Sequence, residues 1–228
     1  MKPTWERAGI QLYLGDCREI LPTLEKGRAA VTITDPPYAN GTPYDGYDDT
    51  RDALRRLIEG FLPEARRISA VVLITCGVGN MWLYPEPTWT LSWVRPAGTG
   101  YGPWGFTCWT PILAYGPDPM LKAGLGCRPD VINRHFTRET SLDHPCPKPV
   151  GLMEWLVERS SFEGDTVLDC FMGTGATAEA CWNTGRHFIG CERSPKYFDL
   201  AIRRLDAALD QGRLFFPSHS PAPEPSNA

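Results

Sequence analysis

The alternation of short β-branched runs with helical stretches constrains this chain more than any other feature. Residues 10–14, 30–34 and 70–75 read as strands, and the last two are apolar enough to be buried on both faces. Helical stretches over 18–24 and 50–67 separate them. The same rhythm returns later: a helix over 150–161, a strand over 166–170, a helix over 176–184, a strand over 187–191 and a helix over 194–210. Such alternation predicts an α/β architecture, a mostly parallel sheet covered on both sides. Residues 88–94 and 109–115 read as two more strands, joined through a linker over 95–108 rich in Gly, Pro and aromatics, so a hairpin with a long loop is expected there. Periodicity is weak over 116–149. Residues 217–228 read as a disordered tail, which leaves 1–216 as one domain of ordinary size.

Several function classes fall away on composition. The 228 residues contain no long apolar run, so no membrane span is expected. The first residues lack the apolar stretch of a secretory leader, and a cytoplasmic protein is the expectation. The eight cysteines are scattered without a C-x-x-C pair, which favours reduced, mostly buried thiols over a disulfide framework. His144 and Cys146 alone make a poor metal site, so none is expected. A formal net charge of −4 argues mildly against a nucleic-acid partner. Distribution matters more than the sum: Arg51, Arg55, Arg56, Arg66 and Arg67 crowd one segment, and Lys122, Arg128, Arg134 and Arg138 punctuate another. Either cluster also fits a plain solvated face.

Two motifs carry chemistry. The first runs from Asp169 through Phe171, Gly173 and Gly175 to Thr177, where a buried strand gives way to a helix. Glycines there let the backbone turn tightly and approach a ligand, and the helix N-terminus adds a favourable partial charge. After the next strand, Glu192 stands at a strand tip, where a carboxylate can accept hydrogen bonds from both hydroxyls of a ribose. Together they describe a nucleoside cofactor pocket. A tight strand–helix turn would use the same glycines. A nicotinamide cofactor is disfavoured because Ala178 stands where G-x-G-x-x-G requires its third glycine.

The second motif is Asp35-Pro36-Pro37-Tyr38, directly after the strand over 30–34. An exocyclic amine on an aromatic ring is a poor nucleophile because its lone pair is delocalised into the ring. A carboxylate accepting one N–H and a carbonyl accepting the other favour a pyramidal nitrogen. Asp35 and the Pro36 carbonyl suit those tasks, Pro36 and Pro37 stiffen the backbone, and Tyr38 can stack on a base swung out of a duplex. An ordinary Asp-Pro-Pro turn is the plainer reading of the same residues.

In this order the motifs resemble the DNA amino-methyltransferases, specifically the permuted group whose D-P-P-Y catalytic motif precedes H-P-x-x-K-P and F-x-G-x-G. Here these are Asp35 to Tyr38, then His144-Pro145-Cys146-Pro147-Lys148-Pro149, then Phe171-Met172-Gly173-Thr174-Gly175. Gly15-Asp16 is similar to a further element that approaches the cofactor adenine, and the likeness runs over residues 11–205. The resemblance implies a Rossmann-like methyltransferase fold with a mostly parallel seven-stranded sheet, one antiparallel strand lying at its edge, and S-adenosylmethionine as cofactor. It implies that Phe171, Gly173 and Gly175 line the cofactor, that Asp169 faces its methionine amine and Glu192 its ribose, and that Asp16, with Cys17, meets its adenine. Thr177 completes the set, and His144 and Lys148 close the pocket near the methionine. The catalytic residues would be Asp35, Pro36, Pro37 and Tyr38.

The implied substrate is DNA, with adenine N6 favoured over cytosine N4 because the latter enzymes often carry Ser at the position of Asp35. RNA bases and a protein glutamine offer amines of the same kind, and a non-catalytic regulator binding S-adenosylmethionine or DNA is the rival from another class. A homodimer and a partner nuclease are both left open. Residues 116–149 are a short candidate target-recognition region. The loop over 39–49 reads as a lid, and Tyr101 and Trp104 as stacking residues, although aromatics packed under a surface loop would look the same.

Overall fold

Strands that alternate inward-facing apolar residues on both sides need cover on both faces, and the fold supplies it. In the computed structural model of the protein, residues 1–42, 44, 46–95, 98, 100–136 and 148–212 are described. In chain order the elements are β1 (Trp5–Arg7), β2 (Ile10–Leu14), α1 (Cys17–Ile20), β3 (Ala29–Thr34), α2 (Arg51–Ile68), β4 (Ser69–Thr75) and β5 (Trp89–Val94). There follow β6 (Tyr101–Gly102), β7 (Gly105–Phe106), β8 (Trp109–Tyr115), α3 (Pro119–Lys122), β9 (Val131–Ile132) and α4 (Val150–Ser160). The last four are β10 (Thr166–Asp169), α5 (Ala176–Thr184), β11 (His187–Glu192) and α6 (Pro195–Gln211).

Among the described residues the main sheet has nine strands in the order β1-β2-β11-β10-β3-β4-β8-β5-β9. The expected seven-stranded sheet is its centre, β2 to β5, to which short β1 and β9 add one strand at each edge. Within that centre only β8 runs antiparallel to its neighbours β4 and β5. It does not lie at the edge, as expected, but one strand in: β5 crosses over and returns outside it. β1 is a second antiparallel strand. Within the described part of residues 116–149, α3 and β9 form. The tail over 217–228 lies outside the described residues.

Alternation in β4 shows how the layers are fed. Val71 and Leu73 face a core shared with α4, α5 and α6, whereas Val72 and Ile74 face a second core shared with α1 and α2. Helix α2 presents Leu54, Leu57, Ile58, Phe61, Leu62 and Ala65 at helical spacing, and the Thr50 hydroxyl caps it by accepting from Ala53 N. Buried polar groups on the strands are paired: Thr32 Oγ1 and Ser69 Oγ stand 2.7 Å apart. Five of the described cysteines are buried thiols, with Cys108 and Cys127 exposed. No helix among the described residues is long and apolar enough to cross a membrane.

One core residue connects this packing to the cleft. Phe61 is fully buried, and its ring meets Phe171 edge-on, with centroids 5.0 Å apart and planes at 87°. Phe61→Ala is expected to cost about 3–5 kcal/mol of stability, read from the urea midpoint. A loss below about 1 kcal/mol would contradict this packing.

Candidate active site at the carboxyl end of the sheet

Parallel strands deliver their C-terminal tips to one end of a sheet, so every loop leaving β2, β3, β4, β10 and β11 opens there. β3 and β10 are direct neighbours, with Thr32 opposite Leu168. The loops that follow them, beginning at Asp35 and at Cys170, therefore face each other across one cleft. Its walls include Asp16, Cys17, Asp35, Pro36, Pro37, Tyr38, Lys148, Asp169, Phe171, Gly173, Thr177 and Glu192. Of the residues expected in the site, His144 lies outside the described residues, and Gly175 is turned away. Gly175 adopts φ +83° at the start of α5, and a side chain there would meet Ala201 of α6 at 3.1 Å. Its smallness serves helix packing rather than ligand approach.

On the glycine-turn side the carboxylates are held by the backbone. Glu192 accepts from Gly173 N at 3.0 Å and Ser194 N at 2.8 Å, and burial raises its pKa. Gly173 has φ +52° and brings bare backbone to the cleft wall. Asp169 is 2% exposed and accepts from Thr34 Oγ1 at 2.7 Å, Thr177 Oγ1 at 2.6 Å and Phe171 N at 3.0 Å. Burial pushes its carboxyl up to about 6 despite those bonds. Asp16 caps α1 through Arg18 N and also takes the Arg18 guanidinium at 2.6 Å, which lowers its pKa. Burial pushes the neighbouring Cys17 thiol up to about 12, so Cys17 is an apolar wall element and no nucleophile. A bare-backbone turn, a carboxylate at each of two strand tips and an aromatic wall fit a cationic nucleoside cofactor.

Across the cleft, Asp35 gathers three donors. Tyr38 Oη donates to Oδ1 at 2.8 Å, Thr75 Oγ1 donates to the same oxygen, and Lys148 Nζ donates to Oδ2 at 2.5 Å. The Lys148 ammonium also stands 4.9 Å from the centre of the Tyr38 ring. Lys148 is thus in the cleft where it was expected, and its ammonium is placed on Asp35. Burial, with Asp35 nearby, drives the Tyr38 phenol well above its usual pKa, so it remains a donor. Asn80 fixes the backbone behind it by donating from Nδ2 to the Tyr38 carbonyl.

Thr75 and Asn80 were not expected in the site. No local motif marks them; only the register of β4 against β3, with Ile74 opposite Thr34, sets Thr75 beside Asp35. The loop over 39–49 is organised by Asp49, 6% exposed, whose carboxylate accepts from Ala39 N, Asn40 N and Thr42 N. Tyr44 and Tyr47 from this loop reach the cleft wall.

A family model described as DNA methylase, of the N6/N4 type, matches residues 78–203, more than half of the chain. The matched span contains Lys148 and the glycine turn, and the Asp35 motif precedes it. The type II methyltransferase M.BglI of Bacillus subtilis is 44% identical over 64 residues, 28% of this chain and 18% of the relative. The chain thus aligns with less than a quarter of that relative's length. Among solved structures, the cytosine-N4-specific PvuII DNA methyltransferase superposes with a TM-score of 0.71 at 13% identity, covering 92% of this chain and 93% of that one. M1.HpyAVI in complex with S-adenosylmethionine superposes with a TM-score of 0.62 at 23% identity, over 86% of this chain and 99% of the other. The chain belongs to the DNA methylase family of N6/N4 amino-methyltransferases, whose members use S-adenosyl-L-methionine.

Proposed function

We infer that the cleft methylates the exocyclic amino group of a base in DNA, with adenine N6 as the acceptor. One observation carries the reading: the Asp35 motif and the glycine turn at Gly173 leave adjacent parallel strands and line the same cleft. Bound there, S-adenosylmethionine would supply an electrophilic methyl group on a sulfonium sulfur. Glu192 would take the ribose hydroxyls, Asp16 the adenine edge and Asp169 the methionine ammonium, while Phe171 and the Gly173 backbone wall the cofactor.

Asp35 and the Pro36 carbonyl would each accept one N–H of the target amine, directing the nitrogen lone pair toward the methyl carbon. Transfer would form a C–N bond and break the C–S bond, with its bonding electrons left on sulfur. The methylated nitrogen is then acidic enough to release its proton, with the Asp35 carboxylate beside it as a hydrogen-bond acceptor. Tyr38 would stack on the extruded base. Lys148 holds the places on Asp35 and over Tyr38 that the amine and base would take, so its ammonium must withdraw as they enter.

Adenine is favoured because cytosine-N4 enzymes resembling this chain often carry Ser in place of Asp35. Cytosine N4 is the second reading, since the PvuII enzyme, cytosine-N4-specific by name, shares the fold over nearly the full chain.

Incubation with labelled S-adenosylmethionine and mixed-sequence DNA, followed by digestion to nucleosides, is expected to place the label in N6-methyladenine. Label in N4-methylcytosine would select the second reading, and no labelled nucleoside would refute both. Asp35→Ala is expected to lower transfer by at least about 10²–10³-fold while cofactor affinity, measured by calorimetry, stays within about threefold. Full activity of that variant would remove Asp35 from the mechanism.

Asp169 adds a pH signature. Its carboxyl is raised from 3.8 to about 6 by burial, so its share of the free protein's stability is complete below 3.8 and lost as pH rises through 6. Cofactor affinity runs the other way, because the ammonium prefers the anion: calorimetric affinity is expected to fall as pH drops below about 6. Asp169→Asn should bind weakly with no such dependence. A wild-type affinity that is flat from pH 5 to 8, roughly the range spanning this pKa, would contradict the role.

A further inference from the structure

Strands β6 and β7 form a two-stranded sheet of their own, with Tyr101 opposite Phe106, Gly102 opposite Gly105, and Pro103 and Trp104 at the turn. This hairpin keeps its aromatic side chains in water. Tyr101 is 85% exposed, Phe106 68%, and Trp104 fully so; the rings of Tyr101 and Phe106 lie 5.0 Å apart. They are not packed under a surface loop, the alternative reading of these aromatics. Single exposed apolar residues are ordinary, but three aromatics on one short hairpin mark an interaction site.

Position and charge narrow the partner. Strand β5 ends, and β8 begins, at the Val94–Trp109 pair, and β8 passes Thr75 at the tip of β4 through Ile112. The hairpin therefore rises from the same end of the sheet as Asp35. In strand order β5 stands three places from β3, about 14 Å away at the usual spacing. From Trp109, five residues of extended chain carry Trp104 up to about 17 Å past the sheet. A ribbon of this kind fits the major groove, about 12 Å wide.

Residues 98–108 contain no charged side chain, so this tip is unsuited to phosphates and suited to base faces. A second protein surface is a poorer match. Three aromatics at about 150–250 Å² each fall short of the roughly 800 Å² per partner that a stable interface buries.

We propose that the hairpin enters the DNA duplex beside the target and that Trp104, flanked by Tyr101 and Phe106, stacks on bases next to the one withdrawn into the cleft. This rests on the DNA reading above and names the element that holds the duplex while the base is out. Trp104 is an interface residue, and it touches neither cofactor nor amine.

The test measures binding rather than turnover. Fluorescein-labelled duplexes with randomised centres are titrated with wild type, Trp104→Ala and Trp104→Phe, and anisotropy is read over a series of salt concentrations. Trp104→Ala is expected to weaken binding by about 5- to 100-fold with an unchanged salt slope, and Trp104→Phe to recover most of the affinity. Wild-type affinity in Trp104→Ala, or a shallower salt slope, would overturn the proposal. So would a shift of oligomeric state on sedimentation, which would make the hairpin a self-association surface. Because Trp104 is fully exposed, its removal should leave the melting temperature unchanged; a drop would mean a structural role and count against the proposal. Failure of the methylation reading shows separately, as absence of label in any DNA nucleoside from the wild-type protein.

Discussion

The Thr34 hydroxyl holds together the two strand tips on which the cleft is built. It donates to Asp169 Oδ1 at 2.7 Å and receives Cys170 N at 3.2 Å, so one buried group spans β3 and β10 where the ladder between them ends. In so dry a position each of those partners would cost about 1–3 kcal/mol if left unpaired. The bond therefore fixes how the loop at Asp35 faces the loop at Phe171. Thr177 grips the other oxygen of Asp169 from the first turn of α5, which ties the helix to the same point. The Asp169 turn and the tip of β3 that leads into Asp35 are thus parts of one hydrogen-bonded unit, and displacement of either strand would disturb both.

Electrostatics give the cleft its preference. Asp169, Glu192, Asp16 and Asp35 crowd one opening, and each is held by donors that leave lone-pair capacity for a ligand. Burial raises Asp169 and Glu192, a penalty that an incoming cation relieves. The Lys148 ammonium is paired with Asp35. The cleft as it stands suits a ligand with positive charge at one end and hydroxyls in the middle.

Much of this was legible in the chain, because buried parallel strands announce themselves. The β-branched runs of β3 and β4 and the apolar spacing of α2 come directly from core demand, and motifs at strand ends inherit their place from the sheet. Short edge strands carry no such pattern: β1 has three residues and β9 two, and pairing rather than composition makes them strands. The inward place of β8 depends on how β5 crosses over, which no local residue encodes. Gly173 and Gly175 look equivalent in the motif, yet the turn aims one at the cleft and the other at α6. Thr75, Asn80 and the contact of Lys148 with Asp35 are products of tertiary register.

On the proposed reading, methyl donor and amine acceptor meet between the neighbouring tips of β3 and β10. The most direct test is a crystal structure of the protein with S-adenosylhomocysteine and a short DNA carrying the methylated base identified in the nucleoside digest. The account predicts the sulfur over the Gly173 turn and the target nitrogen on Asp35, close enough for a methyl carbon placed on the sulfur to stand within about 3–3.5 Å of the nitrogen. A nucleoside bound away from Glu192, or a base lodged away from Asp35 and Tyr38, would contradict it.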